Sequence, residues 1–246
     1  MKRLVLIAAA ALTASAPARA QEVPSYAHRS FLLPAGGFQI SGDPARNEIV
    51  RINASEGQPF AKPVGIAPHF YWGVSREVTL GITHDWGICL GCERIYNDAG
   101  FAFLWGLVSS PRFELDLHLR AAVGSFDPFR LAMGGGVIGR YDLSPLASLV
   151  FDPNLMIGVT HKGATLSLPA WFFFQPSPSV APFVGAGFYG DVEGFFGNFA
   201  IPVEGGVMFT ASPQVDIGAI FRFYNLLGHG GSADGREIGM LGRFRF

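Results

Sequence analysis

Apolar and polar residues alternate with a period of two along most of the chain, and the alternation restarts at five turn-like breaks. These are Ser75-Arg76, Ser110-Pro111, Ser144-Pro145, Ser177-Pro178 and Ser212-Pro213, spaced by 35, 34, 33 and 35 residues. Ser-Pro pairs between apolar runs are turn signals. Counting back from each turn serine by three gives Trp72, Leu107, Tyr141, Phe174 and Phe209. Five back are Phe70, Trp105, Gly139, Phe172 and Val207, and counting forward by three gives Val78, Phe113, Ala147, Val180 and Val215. Further odd steps stay apolar, aromatic, Gly or Pro. A unit near this length suits a hairpin of two strands of about ten residues with one tight turn and one longer loop.

The even steps differ in kind. They collect Glu114, Asp116, His118 and Arg120 after one turn, and Asp216 and Arg222 after another, among glycines and a few large rings. Successive strand side chains point to opposite faces, so one face is continuously apolar and the other carries the charges. A soluble barrel would turn the uniform face inward. The aromatics argue for the reverse assignment, because Trp72, Trp105, Tyr141, Phe174 and Phe209 stand on the apolar face close to the tight turns, with Phe244 near the C-terminal end. That is where an interfacial aromatic girdle belongs.

Composition agrees with a membrane setting. Of 246 residues 49% are hydrophobic and only 15% charged, with 32 Gly and a mean hydropathy of +0.31; soluble domains carry about 25% charged residues. Beyond the N-terminus no run of about 18 apolar residues escapes interruption, which argues against a bundle of spanning helices. At the N-terminus, Lys2 and Arg3 precede an apolar run from Leu4 to Leu12, and Ala18-Arg19-Ala20 closes it with small residues. This predicts a secretory signal over residues 1–20, cleaved after Ala20, then a periplasmic segment 21–29 and a barrel over 30–246. Without the signal the chain is mildly acidic, which predicts no nucleic-acid partner.

The ending Gly242-Arg243-Phe244-Arg245-Phe246 alternates aromatic and polar residues and finishes on Phe. Together with the signal and the five turns, it resembles a bacterial outer-membrane β-barrel of the porin-like class. The resemblance implies that Phe244 and Phe246 act as the insertion signal read by barrel-insertion machinery, and that outer-membrane lipids surround the apolar face. It singles out no particular family.

The expected architecture is all-β: a transmembrane antiparallel up-and-down barrel of twelve strands, with ten as the runner-up. The strands are predicted at 30–43, 63–74, 77–87, 98–109, 112–124, 130–143, 146–160, 164–176, 180–191, 198–211, 214–226 and 236–246. The largest loops, 44–62, 88–97 and 227–235, are expected outside. Segment 47–53 also alternates, so the first hairpin is expected to extend beyond the membrane.

Twelve strands enclose a lumen between the filled interior of about eight strands and the aqueous channel of sixteen or more. The inward ionisable residues are nearly balanced: Glu114, Asp116, Asp142, Asp152, Asp191, Glu204 and Asp216 against Arg120, Arg130, Arg140, Arg222, Arg243 and Arg245, with His118 among them. One reading is an interior held by salt bridges, since unpaired buried charge is costly. The other is an eyelet, with Arg222, Arg243 and Arg245 facing Glu114, Asp116 and Asp152 across water.

Catalytic readings find little support. His84 has lipid-facing parity and His118 lies inward near Asp116, but neither has a serine at matching height, as nucleophilic chemistry requires. Cys89-Leu90-Gly91-Cys92 in an exported chain predicts a small disulfide rather than a metal site, since one pair cannot complete a tetrahedron. The Gly134-Gly135-Gly136 run precedes no helix and is expected to serve curvature or close packing against inward aromatics. The sequence thus predicts no cofactor, no metal and no catalytic residue. It points to a narrow passive pore for small hydrophilic solutes with a charged lumen; the alternatives are a non-conducting structural or adhesive barrel working through its outer loops and a lipid-modifying enzyme.

Overall fold

A computed structural model describes residues 26–53, 63–96 and 98–246; the predicted signal and residues 21–25 lie outside the described residues. Sixteen strand segments form one antiparallel sheet: β1 (Phe38–Ser41), β2 (Glu48–Asn53), β3 (Val64–Ile66), β4 (His69–Gly73), β5 (Val78–Thr83), β6 (Ile88–Leu90), β7 (Ala99–Ser109) and β8 (Phe113–Phe126), then β9 (Phe129–Ser144), β10 (Ala147–Phe151), β11 (Asn154–Gly158), β12 (Ala164–Phe174), β13 (Val180–Asp191), β14 (Val203–Ser212), β15 (Val215–Phe223) and β16 (Arg236–Arg245).

Four wall positions are shared by two successive segments, β1 with β2, β3 with β4, β5 with β6 and β10 with β11, so the sheet is a barrel of twelve staves. It closes where β16 pairs β1 through Ser41 and Arg243, then β2 through Glu48 and Leu241. Proline explains two of the breaks: Pro68 separates β3 from β4 and Pro153 separates β10 from β11, and a residue without N–H cannot donate to the ladder. At the second break the glycine run fits against backbone rather than against aromatics. A Cβ on Gly136 would stand 1.8 Å from the Pro153 carbonyl oxygen, and one on Gly134 1.9 Å from that of Leu155.

The five tight turns lie at one end, between β4 and β5, β7 and β8, β9 and β10, β12 and β13, and β14 and β15. The outward face is apolar, and Trp72, Trp105, Tyr141, Phe174 and Phe209 are all exposed on it near this end, with Phe244 half-buried. Burial of about 20–33 cal/mol for each Å² of such surface is favourable only if something apolar covers it.

The first stave departs from its predicted span. Residues 30–37 are not wall: Tyr26–His28 form a 3-10 turn and Leu33 is buried inside the barrel. The expected outer extension 47–53 is instead the second half of the first stave. Gly42–Asn47, expected as the end of the first strand and the start of an outer loop, is instead an inward excursion between its halves. A Cβ on Gly42 would meet the Glu48 backbone at 2.0 Å, so only glycine allows the chain to fold back so tightly there.

Candidate functional site: the lumen

The inward side chains change from buried to exposed along each stave. On β8, Glu114, Asp116 and His118 are buried, Arg120 is half-buried and Gly124 exposed. On β9 the same order runs backwards, from exposed Arg130 through half-buried Gly134 and Gly136 to buried Ile138, Arg140 and Asp142. On β13, Ala181, Phe183, Gly185 and Gly187 are buried, whereas Tyr189 is 52% exposed and Asp191 is exposed. The lumen is therefore filled near the tight turns and opens toward the long loops.

Among the described residues, two pieces of chain fill it. The first is the segment preceding β1. Ala27 N–H donates to Gln175 Oε1 (2.9 Å), Leu33 N–H to Thr79 Oγ1 (3.0 Å), and Phe31 N–H to Glu114 Oε1 (3.0 Å), which also accepts from the Ser30 hydroxyl. Tyr26 packs against Phe173 and lies under the Arg243 guanidinium, 4.3 Å from the ring centroid. The second is Gly42–Asn47, whose Arg46 reaches Asp43 (3.1 Å) and Glu204 (3.3 Å) and whose Asn47 donates to the Tyr26 hydroxyl (2.8 Å). The cavities lined by these residues hold about 10 and 20 Å³, room for a water each.

The charges form two networks. Near the tight turns, Asp216 accepts from Arg29 (2.6 Å), Arg243 (2.9 Å) and Thr210 (2.7 Å). Beside it Arg140 meets both Glu114 and Asp142 at 3.2 Å. Higher in the barrel, Arg222 donates to Glu204 (2.5 Å), Glu237 (2.7 Å) and Glu48 (2.9 Å), while Trp171 donates to Glu204 and Tyr224 to Glu237.

The predicted eyelet residues thus all face inward, but not as opposing arcs. Arg222 and Arg243 pair with carboxylates on neighbouring staves, Arg245 binds Gln39 (2.7 Å) and the Ser30 carbonyl (2.9 Å), and Asp152 pairs with His118 (3.3 Å). A guanidinium finds its nearest opposite charge within reach before it spans a lumen. Hairpin register decides those neighbours. Glu204 stands directly opposite Arg222, Arg222 opposite Glu237, Asp216 opposite Arg243 and Glu114 opposite Arg140, and opposite charges in such positions attract.

Asp116 is different. Its wall neighbours are Gly106 and Ile138, it is 1% exposed, and neither carboxylate oxygen has a hydrogen-bond partner among the described residues.

No protein-family model and no curated protein matches the sequence. Among solved structures, the NanC porin superposes with a TM-score of 0.57 at 8% identity, covering 79% of this chain and 97% of its own. The KdgM porin gives 0.57 at 8% identity, covering 85% and 99%, and its form in complex with disordered oligogalacturonate gives 0.56 at 8%. The fold is that of the outer-membrane porins. In identity these similarities are too low to carry more than the fold.

Within that porin-like fold the histidines have ordinary partners. His84 Nδ1 lies 2.7 Å from the Pro68 carbonyl oxygen and Nε2 3.1 Å from the Tyr96 hydroxyl. Sequence reasoning missed one cluster, in which Ser148 donates to Asp142 (2.8 Å) and His28 Nδ1 lies 3.0 Å from Asp142. A relay of the triad kind uses opposite ring nitrogens for acid and nucleophile. Here Ser148 and Asp142 share Nδ1, and Nε2 sits 3.0 Å from the Pro145 carbonyl, so the cluster ties His28 to the wall. Cys89 and Cys92 are disulfide-bonded, with Cα atoms 5.6 Å apart, where β6 leaves the barrel. The wall residues Glu48 and Glu237 and the inward Arg29 and Arg46 were also missed. Alternation marks parity, and Arg29 and Arg46 belong to no strand.

Proposed function

We propose that the chain is an exported, integral outer-membrane barrel that forms a narrow pore for small hydrophilic solutes. The observation that carries this reading is the inward gradient: inward side chains go from buried near the tight turns to exposed near the long loops, inside a wall whose outer face is apolar. Outer-membrane lipids cover that face, insertion machinery reads the end at Phe244 and Phe246, and the signal is removed after Ala20. The paired charges hold wall and lumen segments in place, while half-buried Arg120 and exposed Arg130, Tyr189 and Asp191 line the open part.

Single-channel recording of the refolded protein in a planar bilayer tests it, run on the full chain and on a variant lacking residues 26–33. Discrete conductance steps are expected. Folded but silent barrels in both cases would sink the pore reading and favour the alternative that the filled mouth also suggests, a structural barrel working through its outer loops.

A further inference from the structure

The segment Tyr26–Leu33 is inside the barrel without being part of its wall, and its attachment differs from everything around it. The wall is a closed ladder of backbone hydrogen bonds, which no strand leaves without breaking several at once. This segment is held through side chains and by wall side chains reaching its carbonyls: Arg140 donates to Arg29 O (2.6 Å) and Arg245 to Ser30 O (2.9 Å). Three of its backbone N–H groups end on the side chains of Gln175, Glu114 and Thr79.

The wall carboxylates that the segment touches also keep partners without it. Were the segment to leave, Asp216 would keep Arg243 and Thr210, and Glu114 and Asp142 would keep Arg140. One wall group gains from its departure. Asp116 lies buried with both oxygens unpartnered, beneath a segment whose Leu32 Cδ1 would meet a Cβ on neighbouring Gly106 at 2.8 Å. A buried carboxylate without partners is costly, and water relieves it. The connection to β1 runs through Pro34–Gly37, where Gly36 has φ +78°, a left-handed turn that a glycine adopts freely.

We infer that residues 26–33 are an exchangeable plug, and that their seat at the tight-turn mouth is a binding site for a peptide that begins with a single 3-10 turn and carries an aromatic residue three positions before an arginine. The aromatic ring fills the place between Phe173 and Arg243, the guanidinium meets Asp216, and the backbone N–H groups meet Gln175, Glu114 and Thr79. The chain's own N-terminal segment occupies this site in cis and closes the lumen. Leaving it opens the pore. The inference rests on the pore reading above.

The test is single-channel recording of the full chain, of the variant lacking residues 26–33, and of that variant with the synthetic peptide Tyr-Ala-His-Arg-Ser-Phe-Leu-Leu added to each side in turn. The deletion is expected to raise open probability at least tenfold, and the peptide to close the deleted barrel from one side only. A peptide with alanine in place of the arginine should need at least tenfold more for the same block. Identical conductance of full chain and deletion overturns the plug while leaving the pore intact. An open deletion that ignores the peptide overturns the seat, and silence of both folded barrels removes the pore itself.

Should the deletion not refold, a Leu33→Cys/Thr79→Cys variant of the full chain replaces it. Closure on oxidation and openings restored by a reductant are expected. Equal activity in the two states would overturn the plug.

Discussion

Arg29 and Arg243 donate to the same oxygen of Asp216, at 2.6 and 2.9 Å, one from the segment inside the lumen and the other from the neighbouring stave. The shared carboxylate joins a wall that is complete by itself to a piece of chain that is not wall. A similar arrangement recurs at Glu114, which faces Arg140 on the wall and Ser30 and Phe31 in the lumen.

Arg222 should matter most for stability. It is buried against Glu204, Glu237 and Glu48, and removing one partner of a buried ion pair costs about 3–5 kcal/mol because the other charge is stranded. Arg222→Ala is expected to lower the free energy of unfolding by urea in detergent by an amount of that order, and the midpoint with it. A midpoint within error of the parent would show that the three carboxylates do not depend on this guanidinium.

Asp116 predicts the opposite sign. Since neither of its oxygens has a partner among the described residues, replacing it with an uncharged group removes a desolvation cost of about 1–3 kcal/mol. Asp116→Leu should raise the unfolding midpoint and, with the plug more firmly seated, lower the frequency of openings. A clear loss of stability in this variant would mean that the carboxylate is held by interactions the geometry does not contain.

Gly136 tests the strand break. A side chain there would run into the Pro153 carbonyl oxygen at 1.8 Å, whereas at Gly124 nothing lies within 4 Å. Gly136→Val is expected to prevent refolding, seen as loss of the compact, heat-modifiable form on gels, and Gly124→Ala to refold like the parent. Normal refolding of Gly136→Val would require the staves to separate more readily than backbone pairing suggests.

The assignment of faces can be read by fluorescence. Trp72 and Trp105 are exposed on the outer wall, and Trp171 is buried in the lumen beside Glu204. In single-tryptophan variants, lipids brominated near the headgroup should quench emission from Trp72 and Trp105 strongly and from Trp171 little. Strong quenching of Trp171 alone would invert the barrel.

Much of this architecture is legible in the chain because a strand's faces follow from parity alone. The five tight turns set the phase, and the staves from β7 onward lie close to their predicted spans, β14 excepted, which starts at Val203 instead of 198. What the alternation could not supply was which inward charges meet. Register supplies those partners, and counting does not reach it: a bulge between Thr210 and Ser212 shifts Glu204 onto Arg222, and the long connection between β15 and β16 separates Asp216 from Arg243.

Other features belong to the closed barrel only. Ser41 and Glu48 join one stave because β16 pairs with both across the seam, a contact between the two ends of the chain that no local pattern contains. The same closure creates an interior into which Tyr26–Leu33 and Gly42–Asn47 can fold, and there they find Asp216, Glu114 and Glu204 from distant staves. By itself the sequence determined strand identity, facing and the greasy outer surface, because these depend on each residue and its near neighbours. The tertiary structure decided the seam, the filled mouth and the charge partners, because each is a meeting of segments whose separation along the chain bears no relation to their distance across the barrel.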